Sequence, residues 1–174
     1  MILIRRKKPW IIIITAVIAF FIHGCTIKYS FTGASLSPEV KTISVQFFPN
    51  RAQLVNPSLS QNFTESLRDK FLSQTSLEQI DGTGDLNFEG EITDYNTKPM
   101  SIQGNETAAL NRLTITVKVR FSNAIEPGDD FETNFSAFED YDSSKSLDEV
   151  EDELAQQIID KLVEDIFNRS VAKW

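Results

Sequence analysis

The sequence predicts an α+β two-layer sandwich, an antiparallel four-stranded sheet with two helices on one face in the order β-α-β-β-β-α. Three observations carry that reading. Four segments alternate apolar and polar residues with period two, two others repeat apolar residues every three or four positions, and turn-forming residues separate the last three strand segments closely enough for a meander.

Ile43, Val45 and Phe47 alternate and are closed by Pro49, which predicts a first half-buried strand with those three side chains on the inner face. Asn56 followed by Pro57 reads as a helix cap with proline at the first helical position. Leu59, Phe63, Leu67 and Phe71 then recur every four residues, so one face of the helix is apolar. Asp81-Gly82-Thr83-Gly84 is a turn cluster. It leads into Leu86, Phe88, Gly90 and Ile92, a second strand running to about Tyr95 and ended by Lys98-Pro99.

The longest alternation is Leu113, Ile115, Val117, Val119 and Phe121, the third strand. Pro127-Gly128-Asp129-Asp130 turns the chain, and Phe131, Thr133, Phe135 and Ala137 continue in period two, so the pair reads as a hairpin. Ser146 with Glu149 three positions on is a capping box. Leu147, Val150, Leu154, Ile158, Leu162 and Ile166 follow at helical spacing. The carboxylates of Asp148, Glu149, Glu151, Asp152 and Glu153 crowd the first turns, where the helix dipole favours negative charge. Thr114, Thr116, Lys118 and Arg120 interleave the apolar set of the third strand, and Asn87, Glu89 and Glu91 that of the second. One side of the sheet is therefore polar, free to face water or a partner.

Ahead of this domain the chain has the layout of a secretory signal peptide: Arg5, Arg6, Lys7 and Lys8, then the apolar run Trp10 to Ile22. A run of about 13 residues is short of the roughly 20 a membrane-spanning helix needs. It ends in Ile22-His23-Gly24-Cys25, which resembles the lipobox of bacterial lipoproteins, with His23 where a small residue is usual. Cleavage after residue 24 would make Cys25 the lipidated N-terminus, and several acyl chains, at about 0.8 kcal/mol per buried methylene, give stable anchoring. Thr26, in place of an aspartate, matches the sorting pattern for the outer membrane, and the absence of early carboxylates after Cys25 favours its periplasmic leaflet. Tyr29 to Lys41 is rich in Ser, Gly and Pro and reads as a tether. The expected organisation is thus residues 1–24 as signal peptide, 25–41 as tether and 42–174 as one domain.

Removing residues 1–24 takes away four of 17 basic residues and none of 25 acidic ones, moving the formal charge from −8 to −12. So acidic a chain disfavours nucleic acid as a partner. His23 and Cys25 are the sole histidine and cysteine. The mature part therefore has no imidazole or free thiol for Ser-His-Asp or Cys-His catalysis, histidine-ligated zinc or thiol redox chemistry. We expect neither an enzyme nor a cofactor. Asp140, Asp142, Ser144, Ser146, Asp148 and Glu151 fall at the ligand spacing of a calcium loop, but Lys145 occupies the position that needs glycine, and the run reads instead as a turn and helix start. Asn62, Asn105 and Asn168 match the glycosylation triplet without functional meaning in a bacterial setting.

From Cys25-Thr26-Ile27-Lys28-Tyr29-Ser30-Phe31-Thr32-Gly33-Ala34-Ser35 through Phe47-Phe48-Pro49-Asn50, the chain resembles the lipopolysaccharide-assembly lipoprotein family LptE, in the form typical of Bacteroidetes. Gly84-Asp85-Leu86, Gly90-Glu91-Ile92, Asn111-Arg112-Leu113-Thr114 and the amphipathic C-terminal helix carry the resemblance further, and none is a catalytic motif. The resemblance implies a two-layer sandwich that sits as a plug in the outer-membrane barrel LptD, supporting barrel assembly and lipopolysaccharide insertion. On charge, Lys98, Arg112, Lys118 and Arg120 are the candidate contacts to lipopolysaccharide or partner. The competing expectation is an outer-membrane lipoprotein that binds another envelope component, in the manner of a secretin pilot.

Overall fold

Among the described residues the periodic segments form four strands and two helices, and a short fifth strand joins them. The computed structural model describes residues 36–54, 56–100 and 109–171, all in the unit Thr32–Trp174; Cys25 and the segments read as signal peptide and start of the tether lie outside them. In chain order the elements are β1 (Thr42–Val45), α1 (Leu59–Gln74), β2 (Glu78–Gln79), β3 (Leu86–Met100), β4 (Leu110–Asn123), a single 3-10 turn (Pro127–Asp129), β5 (Phe131–Asp142) and α2 (Leu147–Val171). The sheet order is β2-β1-β3-β4-β5.

This corrects the expected four-stranded antiparallel sheet. β3, β4 and β5 do meander antiparallel, but β1 pairs in parallel with both β3 and the two-residue β2, giving a five-stranded mixed sheet. The cause is α1. A helix between two neighbouring strands carries the chain back to the end it started from, so the strand that follows runs parallel.

The helix begins at Leu59, two residues after the expected first position Pro57, and Asn56 caps the turn that leads into it. Asn56 Oδ1 accepts bonds from the Ser58 N–H (3.0 Å), the Leu59 N–H (3.1 Å) and the Ser58 hydroxyl (2.8 Å), supplying partners for otherwise orphaned helix-start donors. Leu59, Phe63, Leu67 and Phe71 are all buried. Half of the capping box forms at α2, where the Ser146 N–H donates to Glu149 Oε2 (3.0 Å). Its apolar stripe, Leu154, Ile158, Leu162 and Ile166, packs over β4 and β5. Leu113, Ile115, Val117 and Val119 are fully buried, and Phe71 joins the layers, its ring 4.8 Å from Phe88 and 5.0 Å from Phe167. Burying each such side chain contributes roughly 1.5–3 kcal/mol.

Two further expectations give way. Phe47 is not on the inner face: it is 61% exposed, and its neighbour Phe48 is fully buried. The regular strand stops at Val45. Beyond it the Gln46 N–H still bonds the Phe88 carbonyl (2.9 Å), but the Phe48 N–H bonds Thr64 Oγ1 of α1 (3.1 Å), and the Phe48 ring enters a slot over Gly90. A Cβ on Gly90 would lie 2.7 Å from Phe48 Cε1 and 2.0 Å from the Lys118 carbonyl oxygen, so only glycine fits.

Nor does Lys98-Pro99 end β3, which continues to Met100. Register shifts between Ile92 and Asp94, a bulge at Thr93 that turns Tyr95 to the core instead of Glu91's polar side. After the bulge, alternate residues Tyr95, Thr97 and Pro99 direct their backbone away from β4. The nitrogen of Pro99 therefore breaks no ladder bond.

Candidate functional site: the polar face of the sheet

With both helices on the inner face, the outer face of the sheet carries Glu89, Glu91, Asp94, Asn96 and Lys98 from β3, Arg112, Thr114, Thr116, Lys118 and Arg120 from β4, and Glu132, Asn134, Ser136, Phe138 and Asp140 from β5. The four candidate cations all lie here. They do not form one patch: Lys118 and Arg112 are six residues apart on β4, about 20 Å along an extended strand.

At one end, Arg120 bridges Glu89 (Nη1 to Oε1, 2.8 Å) and Glu132 (Nε to Oε2, 3.3 Å), while Lys118 pairs with the other oxygen of Glu132. The Lys118 bond, with the two cations' charge, holds the Glu132 carboxyl below the usual carboxylate range. Arg51 reaches Glu91 at 3.9 Å. Glu89, Glu91, Lys118, Arg120 and Glu132, with exposed Phe47 and Gln46, Pro49 and Gly90, line a shallow cup of about 350 Å³. Its charges are matched.

At the other end, Arg112 grips Asp140 with two bonds, Nε to Oδ1 at 2.7 Å and Nη2 to Oδ2 at 2.9 Å. This fork geometry depresses the Asp140 carboxyl and raises the guanidinium. The guanidinium also stacks over the exposed ring of Phe138, its carbon 3.6 Å from the centroid. Lys98 sits opposite Arg112 in register, exposed, and makes no ion pair among the described residues. Between the two ends the face carries the Thr116 and Ser136 hydroxyls, 3.0 Å apart, and one carboxylate, Asp94, opposite Thr116 and bonded by the Asn96 amide.

The structure therefore groups Lys118 with Arg120 and Lys98 with Arg112. An anion approaching Lys118, Arg120 or Arg112 must displace a carboxylate already in place, whereas Lys98 is open to it. Of the partners missed, Glu132 and Asp140 follow from the hairpin register, since pairing Phe121 with Phe131 across the turn sets Arg120 opposite Glu132 and Arg112 opposite Asp140, whereas Glu89 follows from the β3–β4 register.

The acidic run is divided among other duties. Asp140 serves Arg112, Asp142 accepts the Ser144 N–H (2.8 Å), Glu149 caps Ser146, and Glu151 takes the hydroxyl of Tyr95. Among the described residues no cluster of histidine, cysteine, aspartate or glutamate is arranged to hold a metal ion, and no helix is long and apolar enough to cross a membrane.

A second concavity lies along β5, the edge strand opposite β2 among the described residues. Ser136, Ala137, Phe138, Asp160, Lys161, Glu164 and Asp165 line a groove of about 640 Å³ between that strand and α2. Lys161 crosses it, its Nζ 3.3 Å from the Phe138 carbonyl and paired also with Glu139.

Comparison with curated proteins finds no match. Among solved structures, a hypothetical protein from Chlamydia trachomatis aligns over 77% of this chain and 99% of its own at 12% identity, with a TM-score of 0.53, and so shares the fold. A minor lipoprotein from Acinetobacter baumannii aligns over 75% of this chain and 91% of its own at 14% identity, with a TM-score of 0.49. The family described as LptE, lipopolysaccharide assembly, matches residues 40–170, which takes in every strand and all but the last residue of α2. On that match across the whole sandwich, the chain belongs to the LptE lipopolysaccharide-assembly family.

Proposed function

We propose that the protein is an outer-membrane lipoprotein that acts as plug and assembly partner of an LptD-like β-barrel in the transport of lipopolysaccharide to the cell surface. Residues 1–24 are removed, Cys25 carries the lipid, residues 25–41 tether the domain 42–174, and the domain sits on the periplasmic side. The family match over residues 40–170 carries this reading. Two features of the molecule support it. The helices and the inner sheet face close a continuous apolar core, and the outer face is hydroxyl-rich and charge-matched, as suits a body seated against the polar lumen of a barrel. The role is one of binding and assembly, without catalysis or cofactor. Lys98, Arg112, Lys118 and Arg120 are the cations available to lipopolysaccharide phosphates or to the barrel.

Affinity purification of the tagged, membrane-anchored chain from its own host tests the reading. An outer-membrane barrel recovered in equal amount, and a misassembled barrel with lipopolysaccharide retained in the periplasm or inner membrane on depletion, are expected. Recovery of the lipoprotein alone, with normal surface lipopolysaccharide on depletion, would move the assignment to a binding module for another envelope component.

A further inference from the structure

We propose that the free edge of β5 receives an extended segment of the barrel partner as an added strand, seated in the groove beside α2 and carrying Lys or Arg at alternate positions. This rests on the plug reading and names the surface the partner uses.

The backbone decides which groups are available. The Ser143 N–H bonds the Ala109 carbonyl across the β4–β5 pair, so odd-numbered residues of β5 turn towards β4. The even-numbered residues Glu132, Asn134, Ser136, Phe138 and Asp140 turn their N–H and C=O outwards. Lys161 Nζ meets the Phe138 carbonyl from outside, as that alternation requires. Among the described residues no strand pairs with this side, although β5 spans 12 residues. So long an open edge is a template for strand addition, and a charged lysine laid over it is a recognised protection against indiscriminate pairing.

The groove then sets the side-chain code. A strand added to β5 would place every second side chain on the inner side, next to Ala137 and against α2. Ala137 leaves a gap between the larger Phe135 and Glu139, and the helix wall there presents Asp160 and Asp165, with Glu164 beside them already paired with Lys70. Asp165 has no ion-pair partner among the described residues, and Asp160 is bonded by the neutral Gln156 amide alone (2.8 Å). Basic side chains on that alternate set complement the wall. A second copy of β5 would bring Thr133, Phe135, Ala137 and Glu139 to it instead, with no cation, and both chains are strongly acidic. The edge thus favours a basic strand of a different protein.

The test uses the full-length, membrane-anchored chain in its host, with a photo-crosslinking residue at Asn134 on the β5 edge or, separately, at Gln61 on the exposed side of α1. A crosslink from position 134 to the barrel, mapped to an extended Lys- or Arg-bearing segment, is expected. Ser136→Pro, which removes one outward N–H at a strand edge where proline is tolerated, should lower barrel recovery about tenfold, and Ser136→Ala should not. If Ser136→Pro melts well below the parent, the pair Asp160→Lys and Asp165→Lys, which leaves the strand intact, must lower recovery in its place. Barrel recovered with crosslinks at position 61 but none at 134 would overturn the proposal and leave the plug reading standing, as would undiminished recovery with these variants. A crosslink at 134 joining two copies of this chain would also overturn it. If the unmodified chain brings down no barrel, the plug reading falls first and this surface with it.

Discussion

Thr42 and Asp85 close a reciprocal pair of hydrogen bonds across the parallel strands: the Thr42 hydroxyl donates to Asp85 Oδ2 and the Asp85 N–H donates to Thr42 Oγ1, each at 2.9 Å. The same carboxylate oxygen accepts the Lys41 and Thr42 N–H groups, both at 2.9 Å. Here one side chain does at the start of β1 what a ladder does elsewhere. The short first strand is thereby fixed in register with β3.

These backbone bonds, then the Thr42 hydroxyl, hold the Asp85 carboxyl below its ordinary value of 3.8. A group whose folded pKa is depressed contributes stability above its unfolded pKa and loses it as pH falls through the folded one. Asp85→Ala should therefore lower the melting temperature at neutral pH, and the gap from the parent should stay constant down to about pH 4 and narrow only below it. Thermal melts of both proteins across that range check this. A gap that is unchanged at the lowest pH would show that the carboxylate's charge is not what holds the strand.

Gly90 carries the opposite kind of constraint, a demand for empty space. Gly90→Ala should destabilise by about 3 kcal/mol or more in denaturant titrations, since the new methyl meets a backbone carbonyl as well as the Phe48 ring. Phe48→Ala alone should cost about 3–5 kcal/mol through its cavity. The double variant separates the two obstacles. Removing the ring leaves the Lys118 carbonyl in place, so the double variant should be less stable than either single one.

Much of this architecture was legible because burial imposes a period. The five residues Leu113, Ile115, Val117, Val119 and Phe121 could only make a strand with one dry face, and Leu154, Ile158, Leu162 and Ile166 only a helix with one. Strand direction has no such signature. The parallel pairing of β1 and the existence of β2 arise from where α1 returns the chain, and Glu78-Gln79 shows no alternation at all. Phe47 misled because local alternation continues one residue past the point where the Thr64 hydroxyl pulls the chain aside. The candidate cations were visible as residues, but their matching carboxylates were not. That needed cross-strand register, which the turn sets and periodicity does not.

Tyr95, 2% exposed, ties the segment after the bulge to α2 through its hydroxyl on Glu151. Burial first, then that carboxylate, push its phenol well above the ordinary value of 10.0. A raised folded pKa means stability that is complete below the unfolded pKa and is lost as pH rises through the folded one. Tyr95→Phe should cost about 1 kcal/mol at pH 7 for the lost bond. It should also flatten the part of the decline above pH 10 that belongs to this phenol. Denaturant titrations at pH 7 and above pH 10 measure both.

Glu132 governs how freely Lys118 and Arg120 can meet an anion, since it neutralises both at once. If the cup beside Phe47 receives phosphate groups of lipopolysaccharide, the carboxylate competes with them, and removing its charge helps the ligand. Glu132→Gln should then tighten binding to immobilised lipopolysaccharide several-fold at moderate salt and steepen its salt dependence, because Lys118 is released to the ligand and Arg120 keeps Glu89 alone as its partner. Lys98→Ala, which removes the unpaired cation, should weaken binding in the same assay, and Arg112→Ala should weaken it at least as much, because it leaves the Asp140 carboxylate bare to repel the anion. Equal binding by the parent and Glu132→Gln would remove the cup from the list of contact surfaces and leave the Lys98 end as the place where the sheet face meets negative charge.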